Sequence, residues 1–387
     1  MKINCSCSTL SQAVSAVSQV IKPQSTRSIL RNVKLEAHDG QLILLGTDME
    51  MGIRVVIPCE DIAVPGSVVL PADRFRMLLQ ESTDKSLMIE TRPNGILVQG
   101  ERSEYNFSTE NPEEFPALPT FSAYHYITAS ARYVKEAIRR SYFAADNESG
   151  RYALGGVFLD YRKPELNFVA TDGRRLAHQA IEVEAVGEFP EKITAIATPR
   201  SLVILDSLLT DPDEKVQIAI SDKGLMAQAG SVFFNTTLLE GRYPDWRAAL
   251  EQVKNPVSVV LNVQPFTEAV RQAAIVTEKS NPGIVLEFVT GKMTVHAATA
   301  DFGESHVEIP VAYEGEDLAI KLNQVYVSDL LKRLDAGSTV TMKIVNSHTG
   351  SMLETADGYQ YLVMPMQYSG VPRKASAAPA AEEAAEA

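Results

Sequence analysis

Cysteine is scarce: Cys5, Cys7 and Cys59 are the only three in a chain of 387 residues. Three cannot build a disulfide framework, and no CxxC pair occurs. Cys5 and Cys7 lie two apart and would point the same way on a strand, so the expectation is small core residues in a reducing compartment. Long apolar runs are missing too. No stretch approaches the ~18 residues a spanning helix needs. Met1-Lys2-Ile3-Asn4 has no basic segment leading into an apolar one, as a secretory leader would. A cytoplasmic protein with no membrane partner is predicted. The common catalytic signatures are absent as well. The six histidines are scattered, with no HExxH and no cysteine at metal spacing. No Walker loop, GxGxxG or GxSxG elbow appears. Neither metal nor cofactor is expected. Positive charge is in deficit, with 36 Lys and Arg against 49 Asp and Glu for a net charge of −13. That excludes a protein coated in nucleic acid over its whole surface but permits a local basic stripe.

What is present is ordinary globular material, 45% apolar and 22% charged. At ~100–200 residues per domain the length suggests two or three domains, and each third is long enough to bury a core of its own. An internal repeat decides between them. Three times the chain runs through an amphipathic helix, a strand, a short polar turn, two further strands and a second helix. The opening helices are carried by Leu10, Val14, Val17 and Ile21, by Val134, Ile138 and Tyr142, and by Phe266, Val270 and Ala274, with Ser8 and Thr9 as candidate caps for the first. The strand–turn–strand cores run from Leu42 through Thr47-Asp48 to Pro58, from Leu166 through Thr171-Asp172 to Ile181, and from Met293 through Thr299-Ala300-Asp301 to Pro310. The second helices carry Phe75, Leu78 and Leu79; Leu202, Leu205 and Leu209; and Val327, Leu330, Leu331 and Leu334. Pro199 suits a first helical position and Asn323 a cap. The reading is an α+β chain of three repeated domains, residues 1–123, 124–254 and 255–368. Residues 369–387, dominated by Ala, Pro and Glu toward the end, lack any apolar period and are expected to be a disordered tail.

Asp48, Asp172 and Asp301 are repeat-equivalent, so each sits in its own turn and is expected to make a turn hydrogen bond, not to share a catalytic or metal centre. The positive signal is a basic helix. Arg132, Lys135 and Arg139, spaced by three and four, share a face, with Arg140 beside them and Arg151 and Tyr152 just beyond. Smaller pairs are Arg74 with Arg76 and Lys332 with Arg333. Such faces turned to a common axis would contact phosphates, without reading sequence and with strong salt dependence. Near the end, Tyr361-Leu362-Val363-Met364-Pro365-Met366 is an apolar strand finishing in methionines, which adapt to several partners.

These segments together resemble one family, the beta subunit of bacterial DNA polymerase III, the sliding clamp. The resemblance rests on Gly46-Thr47-Asp48-Met49-Glu50-Met51, Arg151-Tyr152-Ala153-Leu154-Gly155-Gly156, Ala170-Thr171-Asp172-Gly173-Arg174-Arg175-Leu176-Ala177, Glu240-Gly241-Arg242-Tyr243-Pro244-Asp245-Trp246 and Val363-Met364-Pro365-Met366. They occur in the family's order over residues 1 to about 367. The resemblance implies three domains of the DNA-clamp type and a head-to-tail homodimer closing a six-domain ring, helices inside and sheets outside. Interface positions fall on Arg74, Tyr105 and Phe107 at one end and Ile275 and Val276 at the other. It implies non-specific double-stranded DNA in the ring, contacted by Arg27, Arg132, Lys135, Arg139, Arg140, Arg151, Tyr152 and Arg200. It also implies a groove between the second and third domains, at Leu154, Thr171, Gly173, Arg174, Arg175, Leu176, Pro244, Asn323, Tyr326, Leu362, Met364, Pro365 and Met366. There the polymerase III catalytic subunit, the clamp loader, and other polymerases and repair proteins would dock short peptides in turn. The role is a processivity factor without catalysis.

Three departures from the family stand out. Gln24-Ser25-Thr26-Arg27-Ser28 replaces an Arg-Pro-Thr-Leu-Pro run, so a DNA-contacting arginine is either lost or supplied by Arg27. Ala249 replaces a larger aliphatic residue, which widens that pocket. The chain also continues past Met-Pro-Met to Ala387. Two rivals remain on the residues alone: a hydrolase using scattered carboxylates, and a monomeric three-repeat scaffold that ignores DNA.

Overall fold

The computed structural model describes residues 1–59, 61–121, 125–146, 153–222 and 224–367. They divide into two compact units, one of Met1–Asp172 with Gln179–Tyr243, the other of Gly173–His178 with the chain from Pro244 onward. Arg151, Tyr152 and the expected tail at 369–387 lie outside the described residues. The helices are α1 (Cys7–Ser18), α2 (Ala72–Glu81), α3 (Ala131–Ser141), α4 (Pro199–Leu208), a short α5 (Trp246–Leu250), α6 (Val263–Ala273) and α7 (Gln324–Leu331). The long ones pack in pairs, α1 with α2, α3 with α4, and α6 with α7.

The apolar spacing read from the sequence is what these helices bury: Leu10, Val14 and Val17 on α1, Val134 and Ile138 on α3, Phe266 and Val270 on α6. The pattern overruns the α-helix in each case. Ile21 follows the end of α1, and 3-10 turns Tyr142–Ala144 and Ala274–Val276 continue the others. The cap of α1 also differs from expectation. Strand Lys2–Ser6 leads directly into the helix, so Ser6, ahead of Ser8 and Thr9, is the residue left in a non-helical conformation, and its Oγ accepts from the Thr9 amide. Thr198 caps α4 ahead of Pro199, and Asn323 caps α7 through Val325 N–H at 2.9 Å.

Each repeat supplies two sheets to cover its helix pair. In the first, Lys2–Ser6, Ser86–Arg92, Gly95–Gln99 and Glu104–Phe107 form one, edged by Asp61–Val64, and Gly66–Pro71, Asn32–His38, Gln41–Thr47 and Met51–Pro58 form the other. The second repeat copies this with Tyr126–Ser130, Lys215–Ser221, Gly224–Ala229 and Val232–Thr236, edged by Glu184–Val186. In unit 1 these repeats share a sheet. Val232–Thr236 runs antiparallel to Met51–Pro58, with Phe234 opposite Ile53 and Phe233 opposite Arg54. The pairing buries Phe234 and Ile53 to 1% and 0% exposure.

Unit 2 holds the third repeat. Val257–Asn262, Thr339–Ile344, Ser351–Glu354 and Gln360–Val363 form one sheet, and Leu318–Asn323, Gly283–Val289, Lys292–Thr299 and Gly303–Pro310 the other. Arg175–His178 ladders onto Gln360–Val363. Among the described residues, two strands repeat-equivalent to laddered ones end their sheets without a partner, Glu104–Phe107 and Gly303–Pro310.

Helix α1 packs closely on the sheet at Gly46, where an added Cβ would stand 2.5 Å from the backbone oxygen of Val17. No side-chain rotation relieves a clash with backbone, so α1 must shift. Gly46→Ala is therefore expected to destabilise unit 1 by about 1–3 kcal/mol, read as a lower denaturant midpoint at unchanged slope. An unchanged midpoint would contradict this contact.

Candidate peptide surface and cationic helix faces

The basic face of α3 is built as its spacing requires, but its charge is largely answered by carboxylates from elsewhere in the chain. Lys135 Nζ donates to the carbonyls of Asp206 and Leu209 and is mostly buried. Arg140 lies against Glu136 at 2.7 Å and donates to Gln179 at 2.9 Å, and it too is mostly buried. The exposed cations are Arg132, 2.9 Å from Asp213, and Arg139, 3.0 Å from Asp206. Exposed pairs of this kind add little stability and can exchange a carboxylate for a phosphate.

A second cationic cluster forms at the Thr47-Asp48 turn. Asp48 Oδ1 accepts from the amides of Glu50 and Met51, the turn hydrogen bonds anticipated for this residue. Its other oxygen takes Lys22 at 2.9 Å and Arg200 at 3.2 Å. Arg27 is exposed nearby, its guanidinium 3.8 Å from Met49 Sδ. The structure thus brings Arg27 and Arg200, expected from distant parts of the sequence, to one turn, and adds Lys22, which no periodic signal marked. Burial alone would raise the Asp48 carboxyl. The hydrogen bonds from Lys22, Met51 and Glu50, with the Lys22 charge, outweigh it and hold Asp48 below the usual carboxylate range. The hydrogen bond to Asp48 in turn lifts the Lys22 ammonium above its ordinary value.

Most of the expected groove residues gather in unit 2. Gly173 stands at φ 84°, a left-handed turn that glycine accepts without strain, and sends the chain into Arg174 and Arg175. Met364 N–H donates to Arg174 O and Met366 N–H to Lys321 O, each at 2.8 Å. Met364-Pro365-Met366 is thereby pinned by backbone bonds at both ends of a proline that has no donor of its own. Arg175 lies over the Tyr326 ring at 4.6 Å and meets Asp329 at 2.7 Å. Tyr361 Oη donates to Tyr326 O at 3.1 Å. Leu176 and Leu362 are buried as the floor, whereas Met364 is 38% exposed. An added Cβ on Gly350 would stand 3.1 Å from Met364 Sδ, so glycine makes room for that thioether. Pro244 is exposed ahead of α5, whose Trp246 packs on His178 with ring centres 4.5 Å apart. Leu154 and Thr171, expected in the same groove, belong to unit 1 and are buried there.

Sequence reading missed Asp329 and Lys321. Asp329 follows Tyr326 by one helical turn and was open to discovery by that spacing. Lys321 acts through its carbonyl, which leaves no trace in side-chain pattern. Of the five expected interface positions, two lie on an unpaired strand and three do not. Tyr105 and Phe107 lie on Glu104–Phe107, with Arg74 exposed on α2. Ile275, 78% exposed, and Val276 lie in the turn after α6, where Thr299 Oγ1 donates to Val276 O.

Comparison with known proteins follows this layout. The family models for the N-terminal, central and C-terminal domains of the DNA polymerase III beta subunit match residues 1–119, 128–245 and 253–367. The beta sliding clamp of Pseudomonas putida is 28% identical over 91% of this chain and 95% of its own. The crystal structure of DNA polymerase III subunit beta from Pseudomonas aeruginosa superposes with a TM-score of 0.88 at 26% identity, over 95% of this chain and 100% of that one. A second structure from that organism, bound to griselimycin, matches equally well, with a TM-score of 0.88 at 26% identity and the same coverage of both chains.

The depressed Asp48 carboxyl carries a pH dependence. A group held below its unfolded value of about 3.9 contributes stability that is complete above that value and is lost as pH falls through the folded one. Asp48→Asn should flatten the decline in unit 1 stability between about pH 5 and pH 2, followed by chemical denaturation across that range. An acid limb identical to that of the unsubstituted chain would rule the cluster out as a contributor.

Proposed function

The chain belongs to the family of the DNA polymerase III beta subunit, the sliding clamps, and on that premise we propose how it acts as the processivity factor of a replicative polymerase. The family's role is non-catalytic. The chain would hold double-stranded DNA by enclosure and hold its partners by a peptide surface, in the cytoplasm, with three domains bounded near residues 123 and 255.

The observation that carries the reading is the pair of open edges. Within unit 1, one repeat joins the next by laddering its last strand, Val232–Thr236, onto Met51–Pro58. Glu104–Phe107 and Gly303–Pro310 hold the matching positions in the first and third repeats and lack that ladder. Tyr105, in the place of buried Phe234, is 42% exposed. A second copy supplies each edge to the other, and the resulting contact is heterologous, closing after two chains. Bare edges of this kind otherwise invite uncontrolled pairing.

Inside such a ring the contacts need only be weak. Arg27, Arg132, Arg139 and Arg200 are the exposed cations that would meet phosphates, while the mostly buried Lys135 and Arg140 shape the face behind them. Arg151 and Tyr152 complete the expected set. Phosphate contacts are sequence-blind and screened by salt, which suits sliding. Tethering raises the local concentration of a bound polymerase at the primer end. The Met364–Met366 surface, with Arg175, Tyr326 and the Leu176–Leu362 floor, suits an extended peptide carrying apolar anchors. The polymerase subunit, the clamp loader and repair factors would compete for it. The griselimycin complex of the Pseudomonas aeruginosa protein supports a ligand-accepting surface in the family.

Two experiments test this reading. Loaded onto nicked circular DNA, the protein should remain through gel filtration at moderate salt and be lost once the circle is cut. Equal retention on circular and linear forms would defeat enclosure. Met364→Ala or Met366→Ala should weaken binding of a clamp-binding peptide about tenfold, on the order of 1–2 kcal/mol, and leave the native mass at two chains. Unaltered peptide affinity would remove the surface from the reading.

A further inference from the structure

The repeat sets the register of the seam as well as its existence. Gly95–Phe107 and Gly224–Thr236 are the same hairpin, residue for residue. Gly95 and Gly224 share φ 142° and 148°, and an added Cβ on either would strike the backbone oxygen of Phe107 or of Thr236. Glu104 therefore corresponds to Phe233. Met51–Pro58 and Gly303–Pro310 align in the same way, because Gln41 faces Pro58 in one hairpin and Lys292 faces Pro310 in the other. His306 thus corresponds to Arg54. Phe233 faces Arg54 in the ladder that unit 1 already contains, and the Val56 amide donates to Ser231 O one step along.

Resting on the proposed two-chain ring, we infer that a second copy pairs with Gly303–Pro310 in that same register, setting Glu104 against His306, Arg102 against Glu308 and Asn106 against Glu304, and that the His306 contact couples ring closure to proton uptake. Each of these pairs is complementary: an acid with an imidazole, a guanidinium with a carboxylate, an amide donor with a carboxylate. Another copy of this chain places all three at once, through the register its own ladder already uses.

The surroundings of His306 set the sign. On its own strand Glu304 lies 3.7 Å from Nε2, and Glu308 is held by Lys292 at 2.7 Å. On the next strand His296 stacks on it with ring centres 5.3 Å apart. One strand further in, Glu287 lies 3.1 Å from His296 Nε2. Helix α6 packs on the opposite face of the strand through Ser305, whose Oγ donates to Ala273 O. From the second copy come Glu104 and Arg102. Two stacked imidazolium rings repel, but each has a carboxylate at its outer nitrogen, and Glu104 adds another on association. Dimerisation consequently favours the protonated ring. The contact needs the ring protonated and Glu104 ionised, so it weakens as rising pH removes the proton from the imidazolium.

The test is sedimentation equilibrium of the full chain at about pH 6 and about pH 8, bracketing imidazole titration. The unsubstituted dimer should dissociate several-fold more readily at the higher pH, and His306→Gln should dimerise without that dependence. Glu104→Lys and His306→Glu should each weaken the dimer about tenfold or more, since like charges directly opposed across strands destabilise. The double variant Glu104→Lys with His306→Glu, with its charges exchanged at both seams, should recover to within about threefold by the same rule. A double variant no tighter than the weaker single one, with the unsubstituted chain still dimeric, overturns the register and leaves the ring standing. A pH dependence that survives in His306→Gln overturns the proton coupling. An unsubstituted chain that is monomeric at every concentration overturns the ring reading itself.

Discussion

The outermost strand of a sheet carries a row of backbone N–H and C=O groups that must be covered, blunted or left to water. This chain meets that requirement in three ways. Short strands Asp61–Val64 and Glu184–Val186 cap one edge of the first two repeats. The antiparallel ladder between Val232–Thr236 and Met51–Pro58 covers another edge and merges two repeats into one compact unit. Among the described residues the counterparts of that ladder's two halves stay bare, Glu104–Phe107 for one and Gly303–Pro310 for the other. A single kind of contact, used internally and then exposed at both ends, is what turns a triplicated unit into a candidate for a closed assembly.

The sequence made the repeat visible because its signals are local. Helical spacing at Leu10, Val14 and Val17 and the recurrent Thr-Asp turns need only neighbouring residues to be read. The strands Lys2–Ser6 and Tyr126–Ser130, which lead straight into their helices, escaped because five residues ahead of a helix give little period to detect. The ladder in unit 1 escaped for a different reason. It joins residues nearly two hundred positions apart, and pairing at that distance is specified by complementary burial, which a linear scan does not measure.

Charge tells the same story from the other side. The cations of α3 were legible by their spacing of three and four, but the carboxylates that answer them, Asp206 and Asp213, sit on or just beyond α4. The Asp48 turn was legible as a turn. Its role in gathering Lys22 and Arg200 was not, since Lys22 follows α1 and Arg200 opens α4. In unit 2 the rigid parts of the candidate groove, the Arg175–Tyr326–Asp329 contact and the backbone bonds of Met364 and Met366, stand beside side chains chosen for adaptability. A fixed frame with pliable thioethers suits partners that share only an extended backbone and an apolar anchor.

A net charge of −13 runs against a DNA-bound function, and the resolution lies in what enclosure asks of electrostatics. A protein that must grip DNA by affinity needs many unpaired cations, each releasing counterions and each adding to the barrier for movement along the duplex. A closed ring is held by its topology, so strong contacts would only slow it. In the proposed ring the α3 face would meet that demand: its cations are present, but most are shared with carboxylates, so phosphates would meet a weak and diffuse field. The acidic excess of the chain would then disfavour nucleic acid outside such a ring. In the proposed assembly the seam carries the burden that affinity would otherwise carry, which is why its edges, of all the surfaces on the chain, are the ones that have to match residue by residue.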